Sequence, residues 1–131
     1  MSSFCVSVFN TLENPAENDA CFVTATKNLT LNKGSSYKII FLVSKNGDSV
    51  DLSSYSLRGD IRPSVNSDII LLSMSSSNFL LKIDTNNSSI IMNIPESFTR
   101  RVSQNVAVYN IELLNSNSET SKIVTGIITF V

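Results

Sequence analysis

Histidine is missing from this 131-residue chain. Its absence removes the side chain most used as a general base near neutral pH and the commonest imidazole metal ligand. Any serine nucleophile would need a lysine or carboxylate held beside it instead. Cysteine is nearly absent too. Cys5 and Cys21 have no neighbouring Cys and no His with which to complete a zinc set. Charge of one sign is also lacking: 10 basic and 11 acidic residues leave a formal net charge of −1, and neither sign gathers into a block. That spread excludes the electrostatic footprint of a nucleic-acid or anionic-membrane binder. The longest apolar runs, residues 39–43 and 69–72, fall far short of the roughly 20 residues a membrane-spanning helix needs. The opening MSSFCVSVF carries neither a basic n-region nor a long apolar h-region, so a soluble chain made in a cytosol is expected.

What the chain has is strand pattern. A hydrophobic content of 42% can bury one core, and the length fits one domain. From Thr26 to Val131, short alternating segments are broken by Asn, Ser, Gly and Asp clusters at regular spacing, the pattern of an all-β sandwich. Residues 27–31 predict a short strand, and 37–43 a strand with Ile39, Phe41 and Val43 on one face. Lys45-Asn46-Gly47-Asp48 reads as a hairpin turn, because Asn-Gly tolerates positive φ. Tyr55, Leu57, Gly59 and Ile61 alternate with charged and polar residues until Pro63 ends the strand. Strands are expected at 68–74 and 79–83 around a turn at 75–78, and again at 90–94 after a turn at 86–89. Residues 95–101, opening on Pro95 and Glu96 and ending on Arg100 and Arg101, predict one helical crossover turn with its dipole matched. In 106–114 the set Ala107, Tyr109, Ile111 and Leu113 is predicted to face the core, with a polar hairpin turn at 115–119. The last strand, 122–131, is apolar on both faces, which places it inside a sheet or under a partner.

The first 25 residues form a separate N-terminal arm, with the sandwich domain at 26–131. Phe4, Val6 and Val8 alternate with polar residues, and Phe9 extends the apolar set. An acidic stretch with Pro15 follows at 10–20. Such a strand either completes its own sheet or adds to the edge of a neighbouring subunit. Phe4, Val6, Val8 and Phe9 are the candidate subunit-interface residues. Cys5 and Cys21 pair if the arm folds back on itself; a reducing compartment favours free thiols instead.

Other candidate sites are weaker. Arg58-Gly59-Asp60 spells an adhesion tripeptide, yet it lies mid-strand where that function needs an exposed loop tip. The sequons at Asn28 and Asn87 need a secretory route that the N-terminus does not offer. Asp48 and Asp51 share a turn region but make a thin start for calcium. Tyr37, Tyr55 and Tyr109 suit either a sugar-binding surface or the core. Lysines and carboxylates are otherwise scattered. No catalytic, cofactor-binding or metal-binding residue is assigned.

The order of features resembles a small β-sandwich of tailed-bacteriophage virion proteins. A strand and "KG" turn (Leu29-Thr30-Leu31-Asn32-Lys33-Gly34) lead into the apolar strand at 37–43 and the Asn46-Gly47-Asp48 turn. Residues 50–62, VDLSSYSLRGDIR, are similar to that family's "DLTGYT-x-R-x-x-IR" strand, with Ser53-Ser54 in place of Thr-Gly. Residues 108–113 and 124–131 resemble its closing pair, "Y-x-Y-D-L-E-L … x-L-x-G-x-V-x-V". The resemblance spans roughly four fifths of the chain. It implies an immunoglobulin-like or baseplate-protein N-terminal-like antiparallel sandwich that binds other virion structural proteins, forms a homo-oligomer and catalyses nothing. It further implies assembly in the host cytoplasm into a virion, at the tail, baseplate or fibre attachment, with no nucleic acid or membrane as partner. A carbohydrate-binding or adhesion module contacting the host surface is the alternative.

Overall fold

Alternation of apolar and polar residues puts one face of each strand against a shared core, and the chain lays its strands down two at a time in opposite sheets. The computed structural model describes residues 4–10, 20–22, 25–45 and 48–131, of which 4–10, 20–22, 45, 48 and 49 are described by backbone and pairing alone. The strands are β1 (Phe4–Asn10), β2 (Ala20–Phe22), β3 (Ala25–Thr26), β4 (Leu29–Leu31), β5 (Tyr37–Lys45), β6 (Asp48–Ser49), β7 (Ser56–Arg62), β8 (Leu72–Ser75), β9 (Leu81–Asp84), β10 (Ser89–Ile94), β11 (Val106–Leu114) and β12 (Thr120–Phe130). A short helix, α1 (Glu96–Arg101), separates β10 from β11. The first sheet runs β2-β1-β5-β10-β9, with β6 also on β5. The second runs β3-β12-β11-β7-β8, with β4 also on β12. The fold is an all-β sandwich, as the spacing predicts.

The inward faces are those read from the alternation. Ile39, Phe41 and Val43 of β5, Leu57 and Ile61 of β7, and Ala107, Tyr109, Ile111 and Leu113 of β11 are all buried in one cluster with Ile90, Met92 and Ile94 of β10. β12 lies inside its sheet, between β11 and the short β3 and β4. Its register against β11 shifts between Ile111 and Glu112, where Ile111 faces Val124 and Glu112 faces Lys122. The unmatched Ile123 is a bulge, and it lets two successive side chains, Ile123 and Val124, both enter the core. β3 and β4 run parallel to β12, the one departure from antiparallel pairing among the described residues. The Lys45↔Asp48 pairing fits a two-residue hairpin, whose Asn46 and Gly47 lie outside the described residues.

Three expected strands are shorter than predicted: the one at 27–31 keeps only Leu29–Leu31 as β4, because the strand breaks at Lys27 and Asn28, and two others lose their first residues. Residues 68–71 are not strand; β8 begins only at Leu72. Ser67 directs this stretch, its hydroxyl accepting from the Ile69 N–H (3.0 Å) and its carbonyl accepting from Arg62 Nη1 (2.7 Å), so Ile69 and Ile70 remain exposed. Phe79 belongs to a turn and not to a strand. Its φ is 65°, and it is 70% exposed. The Asn78 side chain sets that turn: Oδ1 accepts from the N–H groups of Ser75 (3.0 Å) and Leu80 (3.1 Å), and Nδ2 donates to the Ser73 carbonyl (2.8 Å).

Buried hydroxyls seal the crossings between sheets. Thr99 of α1 donates to the Ser35 carbonyl (2.6 Å) and accepts from the Gly34 N–H (3.2 Å), holding the helix to the turn before β5. Phe98 meets Phe130 edge to face, with ring centroids 6.0 Å apart. Glu96 and Arg100 form an i,i+4 ion pair on the outer side. Ser88, at φ 50°, donates to the Val43 carbonyl (2.7 Å) and accepts from the Val50 N–H (2.9 Å). Among the described residues, no buried side-chain polar atom lacks a partner.

Where β3 passes into β4, the Lys27 carbonyl accepts from the buried Tyr109 hydroxyl (2.6 Å). Gly126 sits opposite Tyr109, and a Cβ there would run into that carbonyl and into the Tyr109 ring. Gly126→Ala is expected to lower unfolding free energy by about 3 kcal/mol in urea titration, the scale of core overpacking.

Burial raises the Tyr109 pKa above its ordinary value of 10.0. Below 10.0 the phenol is protonated in both states; above it the unfolded chain loses the proton first. Wild-type stability contributed by Tyr109 is therefore complete at neutral pH and falls as pH rises past 10.0, by up to about 1.4 kcal/mol per pH unit. Tyr109→Phe should cost about 1–2 kcal/mol at pH ~7, and its deficit should shrink with rising alkalinity in paired urea titrations.

Candidate interaction surface

The outer face of the second sheet carries the most developed surface feature. β7 and β11 run antiparallel so that Arg58 faces Glu112, Asp60 faces Asn110 and Arg62 faces Val108. Directly opposed residues share one face of a sheet, and here the opposed chemistry is complementary. Arg58 Nε donates to Glu112 Oε1 (3.0 Å). Asp60 accepts from Asn110 Nδ2 (2.9 Å) and from Arg62 Nε (3.1 Å) and Nη2 (3.0 Å). Hydrogen bonding to Asp60, then its charge, raises the Arg62 pKa further above an already high value.

Beside these pairs lies an open groove of about 530 Å³. Asp60, Arg62, Asn110 and Glu112 line one part of it, Thr26, Asn28, Lys122 and Thr125 another, and Val65, Val108 and Ile127 supply apolar wall. Val108 stands opposite Ile127, and Val106 opposite Thr129. Val65, Val106 and Ile127 are 78%, 51% and 46% exposed. The Asn28 side chain accepts from the Ile127 N–H (3.0 Å), tying the groove's rim to β12.

The tripeptide Arg58-Gly59-Asp60 lies in mid-strand, as its alternation predicts. Its charged ends are engaged by Glu112 and by Asn110 with Arg62, and a Cβ on Gly59 would run into the Asn110 carbonyl. This is sheet structure and not a presented loop. The three tyrosines pack on the core: Tyr109 is buried, and Tyr37 and Tyr55 are half-buried against the same cluster. The Tyr37 hydroxyl accepts from the Asn32 N–H (2.7 Å). They form no exposed aromatic platform. Asp51 Oδ1 accepts from the Ser53 N–H (3.0 Å), and bonding to Ser53 lowers its pKa. The Asp48 side chain lies outside the described residues. Among those described, no group of three or more Cys, Asp or Glu is placed to hold a metal ion. Asn87, the second sequon asparagine, donates to Asp84 (2.8 Å) in its turn.

Phe4, Val6, Val8 and Phe9 all belong to β1. Val6 pairs with Val43, Val8 with Phe41 and Phe9 with Ile40 of β5, while Phe4 pairs with Phe22 of β2. The arm strand therefore has partners on both sides within its own chain; the side chains of these four residues lie outside the description. Sequence reasoning missed the Asp60–Arg62–Asn110 network and the groove. Its only trace was the alternating Arg58, Asp60 and Arg62, whose partners are some 50 residues away in sequence.

Comparison with known proteins adds no relative: no protein-family model matches the chain, and no curated protein matches it.

Arg58 is 55% exposed in its pair with Glu112, so solvent screens most of the attraction. A double-mutant cycle over Arg58→Ala and Glu112→Ala should return a coupling of about 0.5 kcal/mol, reduced further by added salt.

Proposed function

We propose that this chain is a protein-assembly module, and that its setting is the virion of a tailed bacteriophage, at the tail, baseplate or fibre attachment. The observation that carries the assembly reading is the apolar strip of exposed Val65, Val106 and Ile127 with half-buried Val108, beside internally neutralised charge pairs. Apolar surface rimmed by polar residues suits protein contact. Support for the virion setting comes from the ordered resemblance described above, whose segments fall in chain order on β4, β5, β7, β11 and β12. The partners are further copies of this chain and other virion structural proteins. A part for Phe4, Val6, Val8 and Phe9 in assembly takes the form of strand exchange, since the slot beside β5 is filled by β1 of the same chain.

A carbohydrate-binding or adhesion role is the second reading. The groove's mixed wall of Asn, Asp, Thr and Lys side chains favours it, since a sugar needs such donors and acceptors.

Light scattering on the full-length protein, on Ile127→Asp and on a chain lacking residues 1–20 separates these readings. The assembly reading expects a defined oligomer from full-length protein and a monomer from Ile127→Asp, with its thermal midpoint within about 2 °C of wild type. A folded monomer from the truncated chain supports strand exchange; an insoluble product assigns β1 to its own sheet. Full-length monomers that bind host polysaccharide would overturn the assembly reading in favour of the second.

A further inference from the structure

We infer that Cys5 and Cys21 form a redox-controlled staple across the arm hairpin, open in reducing surroundings and closed by disulfide exchange in oxidising ones. The register places them directly opposite one another, between the pairs Phe4↔Phe22 and Val6↔Ala20. Pair type decides whether that placement suits a disulfide, and it follows from the neighbouring ladder. The Val43 N–H donates to the Ser88 carbonyl, so Val43 turns its backbone groups toward β10. Adjacent residues of a strand turn theirs to opposite sides, so Ser44 faces β1. Ser44 is the register partner of Cys5, which makes Cys5–Ser44 the hydrogen-bonded pair and turns the Cys5 backbone away from β2. Cys5 and Cys21 are then a non-hydrogen-bonded pair. In that class Cα atoms lie about 4.5 Å apart, within the roughly 4.4–6.8 Å that disulfides span, and directly opposed positions belong to the same face of a sheet.

The chemistry is thiol–disulfide exchange with a low-molecular-weight disulfide as oxidant. One cysteine thiolate attacks it, forming a mixed disulfide and expelling one small thiolate. The second cysteine thiolate then attacks the protein sulfur of that mixed disulfide and expels the other. Two protein thiols are oxidised to one S–S bond, the external disulfide is reduced to two thiols, and the cysteine protons end on those products. The closed bond ties β2, a strand of three residues at the end of its sheet, to β1. A strand that short has few ladder bonds of its own, so the covalent link would add to its hold on the β1 edge. This inference stands whether or not the chain assembles.

The test equilibrates full-length protein with reduced and oxidised glutathione, in native buffer and in concentrated urea, and quantifies closure by mass after acid quench. Cleavage after Glu13 and Glu17 separates the two cysteines, so their peptides stay joined only through sulfur. Closure should be at least about tenfold more favourable in native buffer than in urea, because the folded register pre-positions the pair. A chain carrying Cys21→Ser and Phe22→Cys moves one thiol to the opposite face, and its advantage should fall to about one. Equal closure of wild type in both solvents, closure of the shifted pair as readily as the native one, or a covalent dimer as main product would each overturn the inference.

Discussion

The fastening of residues 25–31 onto β12 is the constraint on which the rest of the sandwich depends. This segment carries the chain from the first sheet to the second and back, and it runs parallel to β12 in two short pieces. Parallel pairs are slightly weaker per residue than antiparallel ones, and each piece here is only two or three residues long. Side chains and the break itself make up the difference. At the break the Lys27 N–H donates to the Thr125 carbonyl (2.8 Å), the Lys27 carbonyl receives the Tyr109 hydroxyl, and Asn28 receives the Ile127 N–H. Gly126 leaves the space in which backbone and ring approach each other. Since β12 also carries β11, and β11 carries β7, this one junction fixes the order of the second sheet.

A chain that changes sheet after every second strand interrupts its own ladders repeatedly, and each crossing leaves backbone groups in need of partners. Hydroxyls fill that role at two buried points. Thr99 collects the Gly34 N–H and the Ser35 carbonyl at the α1 crossing. Ser88 collects the Val43 carbonyl and the Val50 N–H where β5, β10 and the chain entering β7 converge. A carboxylate or amide would overfill either point, and an apolar side chain would leave buried backbone unpaired. Serine and threonine at these positions are therefore core residues in function, although their polarity marks them as turn residues in sequence.

That distinction governs how much of the structure was legible in the sequence. Period-two alternation read the inward faces of β5, β7 and β11 correctly, because each of those strands has one face on the core. It failed at Ile69 and Ile70, where apolar residues suggested a strand and the local hydrogen bonds of Ser67 made a loop. It failed again at Phe79, whose left-handed backbone is imposed by the Asn78 side chain. The parallel docking of β3 and β4 and the bulge at Ile123 left no local signal, for both are decided by partners distant along the chain. The groove was invisible for the same reason: Asp60 and Asn110 meet across 50 residues of sequence. The tripeptide was readable because strand parity alone places its charges outward and its glycine inward.

The electrostatics of the outer face limit what kind of recognition it can support. Arg58 is matched by Glu112, and Arg62 by Asp60, so the face offers little net field to steer a charged partner from a distance. Recognition there would rest on short-range fit, with apolar contact at Val65, Val108 and Ile127 and hydrogen bonds from Asn28, Thr26 and Thr125 setting orientation. A partner inserting its own charge would have to break a pair already made, which penalises charged competitors more than neutral ones. Neutral, shape-dependent contact of this kind would tolerate salt well and would lean on Ile127, the isoleucine of the groove wall.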